Sequence, residues 1–579
     1  MAAEAAPTKP PAVATPATVK EAVPTESPLR AADARTRQQA VAEAWTTFQR
    51  SCRPCHGNLG AGDGPYAASS ARPAADLRRP SRDMAQDAVR FTRIRDGAAS
   101  LPERAWESNM PAFGDDLSAA QIWGLVALLE DFGKEASGVD PSATGADVYA
   151  SRCAVCHGAE GKGDGPLASE LMPLPRNLTK SDYRFRSTEY GAAPLDTDII
   201  GTVSRGLEGT SMGRFLPLGG IRLEDVAAHV QTLAPELFAT KPAPLAGSPI
   251  PAEPVAQMAA RGRAVYEEAR CWECHGKEGR GNGPSAATLK DDTERPSIAT
   301  DLTKRWHMKA GGGAPSIFRL LTGGMNGTPM ASYASTLSAE DRWAVAHYVE
   351  RLGKPRARFS PSIQAEISSE PLPLDPAAAL WKAIPATSVA LGPQMEVPPY
   401  WTQPSVDAVA VAVAVNRDQI GFLLVWNDRT RDVRNDDAGS TSTVAATLAR
   451  YGTWRLPDQV AVQFAEKVDP KIALPSPYLG DADRSVIRWI WSADRQERGE
   501  PAMSERATGA RSTPVSLTAE APVQTAATYV DGQWRVVLLG KRPPKGGAST
   551  AIALQAWDGA IGESGRWHSL SGWISVNLR

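Results

Sequence analysis

The residues with the most chemical content are the six cysteines, which fall into three identical patterns: Cys52-Arg53-Pro54-Cys55-His56, Cys153-Ala154-Val155-Cys156-His157 and Cys271-Trp272-Glu273-Cys274-His275. No cysteine lies outside a C-x-x-C-H. Two thiols three positions apart project from one helical turn, where they can form thioethers to the two vinyl groups of a haem, and the adjacent histidine can ligate its iron. A structural zinc site would need four ligands, and each pattern offers three. A thioredoxin-like redox pair would sit in a βαβ setting, and none surrounds these motifs.

Each motif opens a repeat of fixed dimensions. His56-Gly57 leads to Gly62-Asp63-Gly64-Pro65, His157-Gly158 to Gly163-Asp164-Gly165-Pro166, and His275-Gly276 to Gly281-Asn282-Gly283-Pro284. Glycines at these offsets allow left-handed backbone and close passage beside a flat ligand. A second iron ligand should then lie further along. Met110 is 54 residues after His56, Met212 is 55 after His157, and Met330 is 55 after His275. Thioether sulfur is the ligand that raises a haem potential for electron transfer. Gly206-Leu207-Glu208-Gly209-Thr210-Ser211-Met212 aligns with Gly324-Met325-Asn326-Gly327-Thr328-Pro329-Met330, which favours Met330 over Met325. The first unit matches less closely around Asn109-Met110-Pro111.

Helices must position these groups. Trp45 and Phe48, Val148 and Tyr149, and Val265 and Tyr266 precede the cysteines by about a helical turn. Leu117-Ser118-Ala119 and Leu337-Ser338-Ala339 read as helix starts ahead of apolar-periodic segments. Trp123 and Trp343 occupy equivalent places in those segments and are expected to be core. In motif and order each unit resembles a class I monohaem cytochrome c domain, and the resemblance covers about residues 38–354. It implies three small all-α domains, each with covalent haem c and His/Met iron. It also implies a location outside the cytoplasm, in the periplasm for a bacterial chain, although no export signal is visible in this sequence.

The remaining histidines are His229, His307, His347 and His568. His229 and His347 are expected to pack within the terminal helices of units two and three. His307, in Trp306-His307-Met308, could touch a haem propionate or replace Met330. The first unit has no spare histidine, which disfavours bis-histidine ligation throughout.

The chain has 579 residues, with 63 Lys+Arg against 65 Asp+Glu and a mean hydropathy of −0.30. That length points to several domains. The charge balance gives no basic footprint for nucleic acid, and no run of about 18 apolar residues encodes a membrane span. The expected organisation is a disordered Ala/Pro-rich segment at 1–37, then cytochrome c domains at 38–136, 145–236 and 255–354. Linkers are expected at 237–254 and 355–377, and a mainly-β sandwich domain at 378–579.

The sandwich follows from β-like runs at 406–415, Gly421–Trp426, Val460–Phe464 and Ser485–Trp491, and from a hairpin turning at Asp531-Gly532 before Trp534–Leu539. The phrases Val425-Trp426-Asn427-Asp428-Arg429-Thr430-Arg431-Asp432, Asp458-Gln459-Val460-Ala461, Pro477-Tyr478-Leu479-Gly480 and Gln555-Ala556-Trp557-Asp558-Gly559 are similar to the ethylbenzene dehydrogenase gamma-subunit family. This is the haem-binding subunit of dimethyl-sulfoxide-reductase-type molybdenum enzymes. The resemblance implies a b-type haem held between a Met and a Lys. Here Leu479 stands at the Met position and His568 at the Lys position, with Met503, in an Arg/Glu-rich loop, as the nearby thioether. His568 is therefore the candidate ligand for a fourth haem.

The expected function is electron transfer by a multihaem c-type cytochrome, as a subunit or partner of a periplasmic molybdenum oxidoreductase with its catalytic and iron–sulfur subunits, or of another redox protein. The alternative is a haem enzyme with a labile distal site, peroxidase-like or reducing an oxyanion.

Overall fold

A computed structural model describes residues 23–67, 73–79, 86–97, 110–137, 144–171, 173–180, 183–207, 210–215, 223–294, 297–358, 360–394, 405–433, 456–466, 474–481, 483–509, 512–517, 522–542 and 549–578. Three helical units precede a β-rich domain, so the chain is multidomain, with α-helical and β-sandwich parts in the expected order.

In each unit an N-terminal helix crosses a C-terminal one. The pairs are Ala34–Ser51 with Ala119–Ser137, Gly145–Val148 with Leu223–Thr232, and Val255–Glu268 with Ala339–Leu352. A glycine at each crossing lets the backbones meet: a Cβ on Gly145 or Gly262 would stand 2.0 Å from the carbonyl oxygen of Asp225 or Ala344. Ser338 caps the last helix by accepting the Asp341 N–H. A middle helix completes each unit: Asp87–Asp96, Asp196–Arg205 and Ala314–Gly323. Trp123 and Trp343 are core, as expected, packed on Phe91 and Phe318 with ring centroids 4.5 and 4.3 Å apart. His229 lies against Tyr149, and His347 is buried against Trp343.

The expected disorder over 1–37 is too long. Residues 1–22 lie outside the described residues, but Pro28–Arg30 forms a 3-10 turn and the first helix begins at Ala34, capped by Asp33. Arg30 anchors this segment by pairing with Asp87 at 2.7 Å and with Glu130. Residues 237–254 are also attached, since Leu245 N–H donates to the Ser187 carbonyl.

The C-terminal domain is a sandwich of two sheets. One runs β1 (Ser362–Gln364), β15 (Ile574–Asn577), β13 (Ser549–Trp557), β7 (Gln459–Ala465), β8 (Val486–Ser492), β9 (Met503–Ala507), β10 (Val515–Ser516), with β14 (Ser569–Leu570) and β4 (Gly392–Pro393) at its side. The other runs β11 (Gln524–Val530), β12 (Gln533–Lys541), β6 (Gln419–Asn427), β5 (Ala408–Val415), β2 (Glu366–Ile367), with β3 (Thr387–Ala390) also on β5. The β11–β12 hairpin turns on Asp531 and Gly532, both with positive φ (51° and 71°), as an Asp-Gly turn requires.

Two expectations are corrected here. Residues 355–377 are not simply a linker, because β1 pairs with β15 and β2 with β5, so this stretch contributes an edge strand to each sheet and buries Ile363 and Ala365 between them. Met503 lies on β9, paired opposite Ile490, rather than in a loop. The core is aliphatic and aromatic, with Trp426, Trp491 and Trp534 in mutual contact. Among the described residues no helix is long and apolar enough to cross a membrane.

Candidate functional site

The three C-x-x-C-H segments form one short helical turn each, Arg53–His56, Ala154–His157 and Trp272–His275, and each ends at a glycine of positive φ: Gly57, Gly158 and Gly276. The turn places both thiols and the imidazole on one side of the chain. No disulfide forms within any pair. Burial pushes the Cys52 and Cys153 thiols up to about 12, and those of Cys55, Cys156 and Cys271 up to about 11. They are neutral thiols, unlike the thiolates of zinc sites or redox dithiols.

Each histidine is held by one backbone carbonyl. His56 Nδ1 is 3.1 Å from the Ala75 oxygen, His157 Nδ1 is 3.1 Å from that of Arg176, and His275 Nδ1 is 3.0 Å from that of Thr300. Burial lowers all three pKa values, with the carbonyl acting against it, so the imidazoles are neutral. Nδ1 then carries the proton and donates, leaving the Nε2 lone pair for a metal.

The Gly-rich loops bring those carbonyls in. The N–H groups of Gly62, Gly163 and Gly281 donate to the carbonyls of His56, His157 and His275 at 2.8–2.9 Å. Each of the three has a φ of 73–78°. A Cβ there would meet the carbonyl oxygen of Ala74, Pro175 or Ala299 at 2.5–2.7 Å, one residue before the oxygen that holds the imidazole. The approach needs both the left-handed backbone and the missing side chain.

The three methionines share a second arrangement. Each middle helix ends at a glycine of positive φ, Gly97, Gly206 or Gly324. The backbone just after Met110, Met212 and Met330 runs against those glycines: a Cβ there would meet Pro111, Gly213 and Ala331 backbone atoms within 2.8 Å. Three residues past each methionine, the N–H of Phe113, Phe215 and Tyr333 donates to the carbonyl of Ile94, Val203 and Leu321 at 3.1, 3.0 and 2.8 Å. The Met212 and Met330 N–H groups also donate to the Thr210 and Thr328 hydroxyl oxygens, at 3.0 and 3.2 Å. Residues 98–109, where the first unit departs from the others in sequence, lie outside the described residues, yet Met110 occupies the same bonded frame.

The units lean on one another through these loops. Arg53, between the two cysteines of unit one, reaches Ser211 Oγ at 3.3 Å, the residue before Met212. Arg214 pairs with Asp63 at 3.4 Å, Arg50 with Glu170 at 2.7 Å, and Arg152 lies over the Trp45 ring at 4.5 Å. Units two and three meet through Arg184 and Asp291 at 3.2 Å, and through Arg186 on the Gly323 carbonyl at 2.9 Å. A cavity of about 1290 Å³ opens between these units and the sandwich, and Cys271, Cys274, His275 and Met330 face it beside Arg176. A void lined by two thiols, a neutral imidazole and a thioether fits a haem, and His275 would hold it through Nε2.

His307 lines the same cavity, but its Nε2 lies 3.4 Å from Asp407 of the sandwich, so it is engaged there. His568 is fully buried between the rings of Tyr478 (5.2 Å) and Trp557 (4.8 Å), with Nδ1 3.0 Å from the Gly565 carbonyl and Nε2 without a partner. Leu479 packs with Tyr478, Val486, Ala507 and Leu570. The residues around His568 do not fit a two-ligand b haem, because the second position is hydrocarbon and the large cavity does not reach the ring. Reading the sequence missed the carbonyl clamps, whose signal was the repeated Gly-x-Gly-Pro offset, and missed the part played by Asp407, which has no local signal.

Residues 142–234 and 259–353 match the cytochrome c family, and residues 39–129 match the family of cbb3-type cytochrome c oxidase subunit III. A cbb3-type cytochrome c oxidase subunit FixP of Azorhizobium caulinodans is 29% identical over 195 residues, covering 34% of this chain and 58% of that protein. The chain thus spans under two thirds of that relative's length. A solved chain of the reducing HAO-like protein complex of Kuenenia stuttgartiensis is 36% identical, covering 38% of this chain and 97% of its own, with a TM-score of 0.35. A family 9 carbohydrate-binding module of Caldicellulosiruptor kristjanssonii is 11% identical over 38% of this chain and 95% of its own, with a TM-score of 0.22. The C-x-x-C-H turns and clamped neutral imidazoles thus fall within the three segments, 39–129, 142–234 and 259–353, that match c-type cytochrome family models, which makes the helical part of the chain a run of cytochrome c domains.

Proposed function

We propose that this chain is a three-haem electron relay working outside the cytoplasm. In this reading Cys52 and Cys55, Cys153 and Cys156, and Cys271 and Cys274 attach the haems. His56, His157 and His275 are the proximal ligands, and Met110, Met212 and Met330 the distal ones. The observation that carries it is the threefold identity of two bonding patterns, the carbonyl on each imidazole Nδ1 and the N–H three residues past each methionine. When bound, haem supplies a one-electron ferric/ferrous couple. The chain's part is to keep each imidazole neutral and oriented, to supply thioether sulfur on the far side, and to exclude water with the cores around Trp45, Tyr149 and Trp343.

Contact of unit two's methionine loop with unit one's attachment turn, through Arg53 and Ser211, favours transfer between neighbouring haems. Covalent fusion replaces diffusional encounters with a fixed high effective concentration. The partner we propose is a periplasmic molybdenum oxidoreductase, with the sandwich as its docking domain. Support for this comes from the sequence phrases shared with the gamma-subunit family and from the two-sheet architecture of residues 362–577.

Pyridine haemochrome assay of the full chain, matured in a host competent for haem c attachment, should give three c-type haems and no b-type haem per chain. Carbon monoxide should leave the reduced spectrum unchanged. Free thiols at any of the three motifs, or stoichiometric carbon monoxide binding, would replace the relay with fewer haems or with an open-site haem enzyme.

A further inference from the structure

The sandwich holds a group of side chains that electron transfer does not use. Asp428 and Asp432 lie on the loop leaving β6, Asp458 immediately precedes β7, and Asp558 immediately follows β13. All four are buried, at 4, 2, 0 and 6% exposure, and each offers a carboxylate oxygen within 4.8 Å of those of the others. Four ionised carboxylates so close together and away from water repel strongly.

Part of the cluster is held by the chain's own donors. Asp458 accepts the N–H groups of Asp432 (2.7 Å) and Gly559 (2.9 Å) and the Trp534 indole N–H (2.9 Å). Asp428 Oδ1 accepts the Thr430 N–H at 3.2 Å, and Asp558 Oδ1 the Ala560 N–H at 2.9 Å. Asp428 Oδ2 is buried with no hydrogen-bond partner. A buried carboxylate oxygen left bare among three other carboxylates points to an absent positive charge.

We propose that Asp428, Asp432, Asp458 and Asp558 form a calcium site. Every donor is an oxygen, which selects a hard cation over zinc or copper. The spread of up to 4.8 Å is about twice the calcium–oxygen distance of ~2.4 Å, so one ion can touch all four, whereas magnesium binds at ~2.0–2.1 Å and keeps its water. Asp428-Arg429-Thr430-Arg431-Asp432 also spaces oxygen side chains at every second residue, as helix-flanked calcium loops do at their first three ligand positions.

The site has a structural consequence for the third cytochrome unit. Asn427, adjacent to Asp428, donates to Asp301 Oδ2 at 3.3 Å and Thr303 Oγ1 at 3.2 Å, next to Thr300, whose carbonyl holds His275. The Asp428 N–H and carbonyl are tied to Gly532 and Tyr529, and a Cβ on Gly532 would stand 2.7 Å from Asn282 of the Gly-rich loop. Calcium therefore fixes the loop on which unit three is seated.

The test uses the full chain, exchanged into calcium-free buffer and analysed by inductively coupled plasma mass spectrometry and calorimetry. The proposal expects one calcium per chain and a fall in Tm of roughly 5–10 °C on treatment with EGTA. Calcium should restore the Tm, and equimolar magnesium should not. Calcium titrated by calorimetry into stripped wild-type chain should bind one to one, and D428N and D432N should each lose that binding. Absence of retained calcium, together with no heat and no Tm change on adding it to stripped chain, would overturn the site and leave the carboxylates sharing protons. These readouts are independent of haem content and therefore of the relay proposal.

Discussion

Lys304 Nζ lies 3.0 Å from Asp407 Oδ1, with the two side chains only 13% and 5% exposed, so unit three and the sandwich are joined by an ion pair shielded from water. Trp306 Nε1 donates to the other Asp407 oxygen at 2.5 Å, and His307 Nε2 is 3.4 Å from it. One carboxylate on the loop before β5 thus gathers three side chains, Lys304, Trp306 and His307, from around the 3-10 turn Arg305–His307. These contacts and the Asn427 bonds fix the face that unit three presents.

Replacing Asp407 by Asn should be far more damaging than its conservative shape suggests. It leaves the Lys304 ammonium buried without its countercharge, a change that typically costs about 3–5 kcal/mol. Urea titration followed by circular dichroism should show an earlier transition for D407N, and K304M/D407N should recover part of the loss. An unchanged midpoint for D407N would mean that the pair is not holding the two domains.

The same carboxylate sets a pH limit. Burial alone would raise the Asp407 pKa, but the charges of Lys304, His307 and Arg356 outweigh it and hold it well below the usual range. A lowered folded-state pKa gives stability that is present in full above the unfolded value of about 3.9 and lost as pH falls towards the folded one, because the unfolded chain takes up the proton first. Tm should therefore drop between pH 5 and about pH 3, and the drop should be shallower in D407N. Parallel profiles would assign the acid lability to other carboxylates.

Gly163→Ala should impair the second unit. The residue sits at φ 78°, and its Cβ would stand 2.7 Å from the Pro175 carbonyl oxygen, beside the Arg176 carbonyl that orients His157. Left-handed backbone alone costs a non-glycine residue about 1–2 kcal/mol, and the contact adds to it. Haem content per chain, measured by pyridine haemochrome, should fall towards two. Gly191→Ala, at a positive-φ position with open space around it, carries strain without that contact and should keep three.

Single Met→Leu changes at positions 110, 212 and 330 should each remove about a third of the thioether-to-iron charge-transfer absorbance of the oxidised protein. M325L is the control, since the Met325 N–H donates to the Met330 carbonyl at 2.9 Å, a bond that leucine keeps. Equal absorbance in M110L and wild type would exclude Met110 as a ligand and make unit one the open site.

The candidate attachment turns were legible from the sequence because they are local. Cysteine and histidine spacings within a single helical turn, and glycines at constant offsets, report what one short segment can do without its neighbours. The strands of the sandwich were legible for a similar reason: short apolar runs, buried almost continuously along β5 to β8, and an Asp-Gly turn write themselves into consecutive residues. The edge strands β1 and β2 were hidden in a Pro-rich stretch, since they depend on partners far along the chain, Ser575 for Ser362 and Ala414 for Glu366.

Tertiary structure alone decided the rest. Met110 follows a sequence that diverges from the other units, and its bonded frame against Gly97 and Ile94 adds to its spacing the backbone register of Met212 and Met330. Asp407 looks like any loop carboxylate until unit three closes over it. Asp428, Asp432 and Asp458 come from the two ends of the connection between β6 and β7, Asp558 comes from the one that leaves β13, and the four meet only when the two sheets pack face to face. Spacing along the chain specifies which groups can share a turn, whereas desolvation and charge depend on what folding brings near, and those are the quantities that decide whether a carboxylate is a surface ornament, a clasp or a ligand.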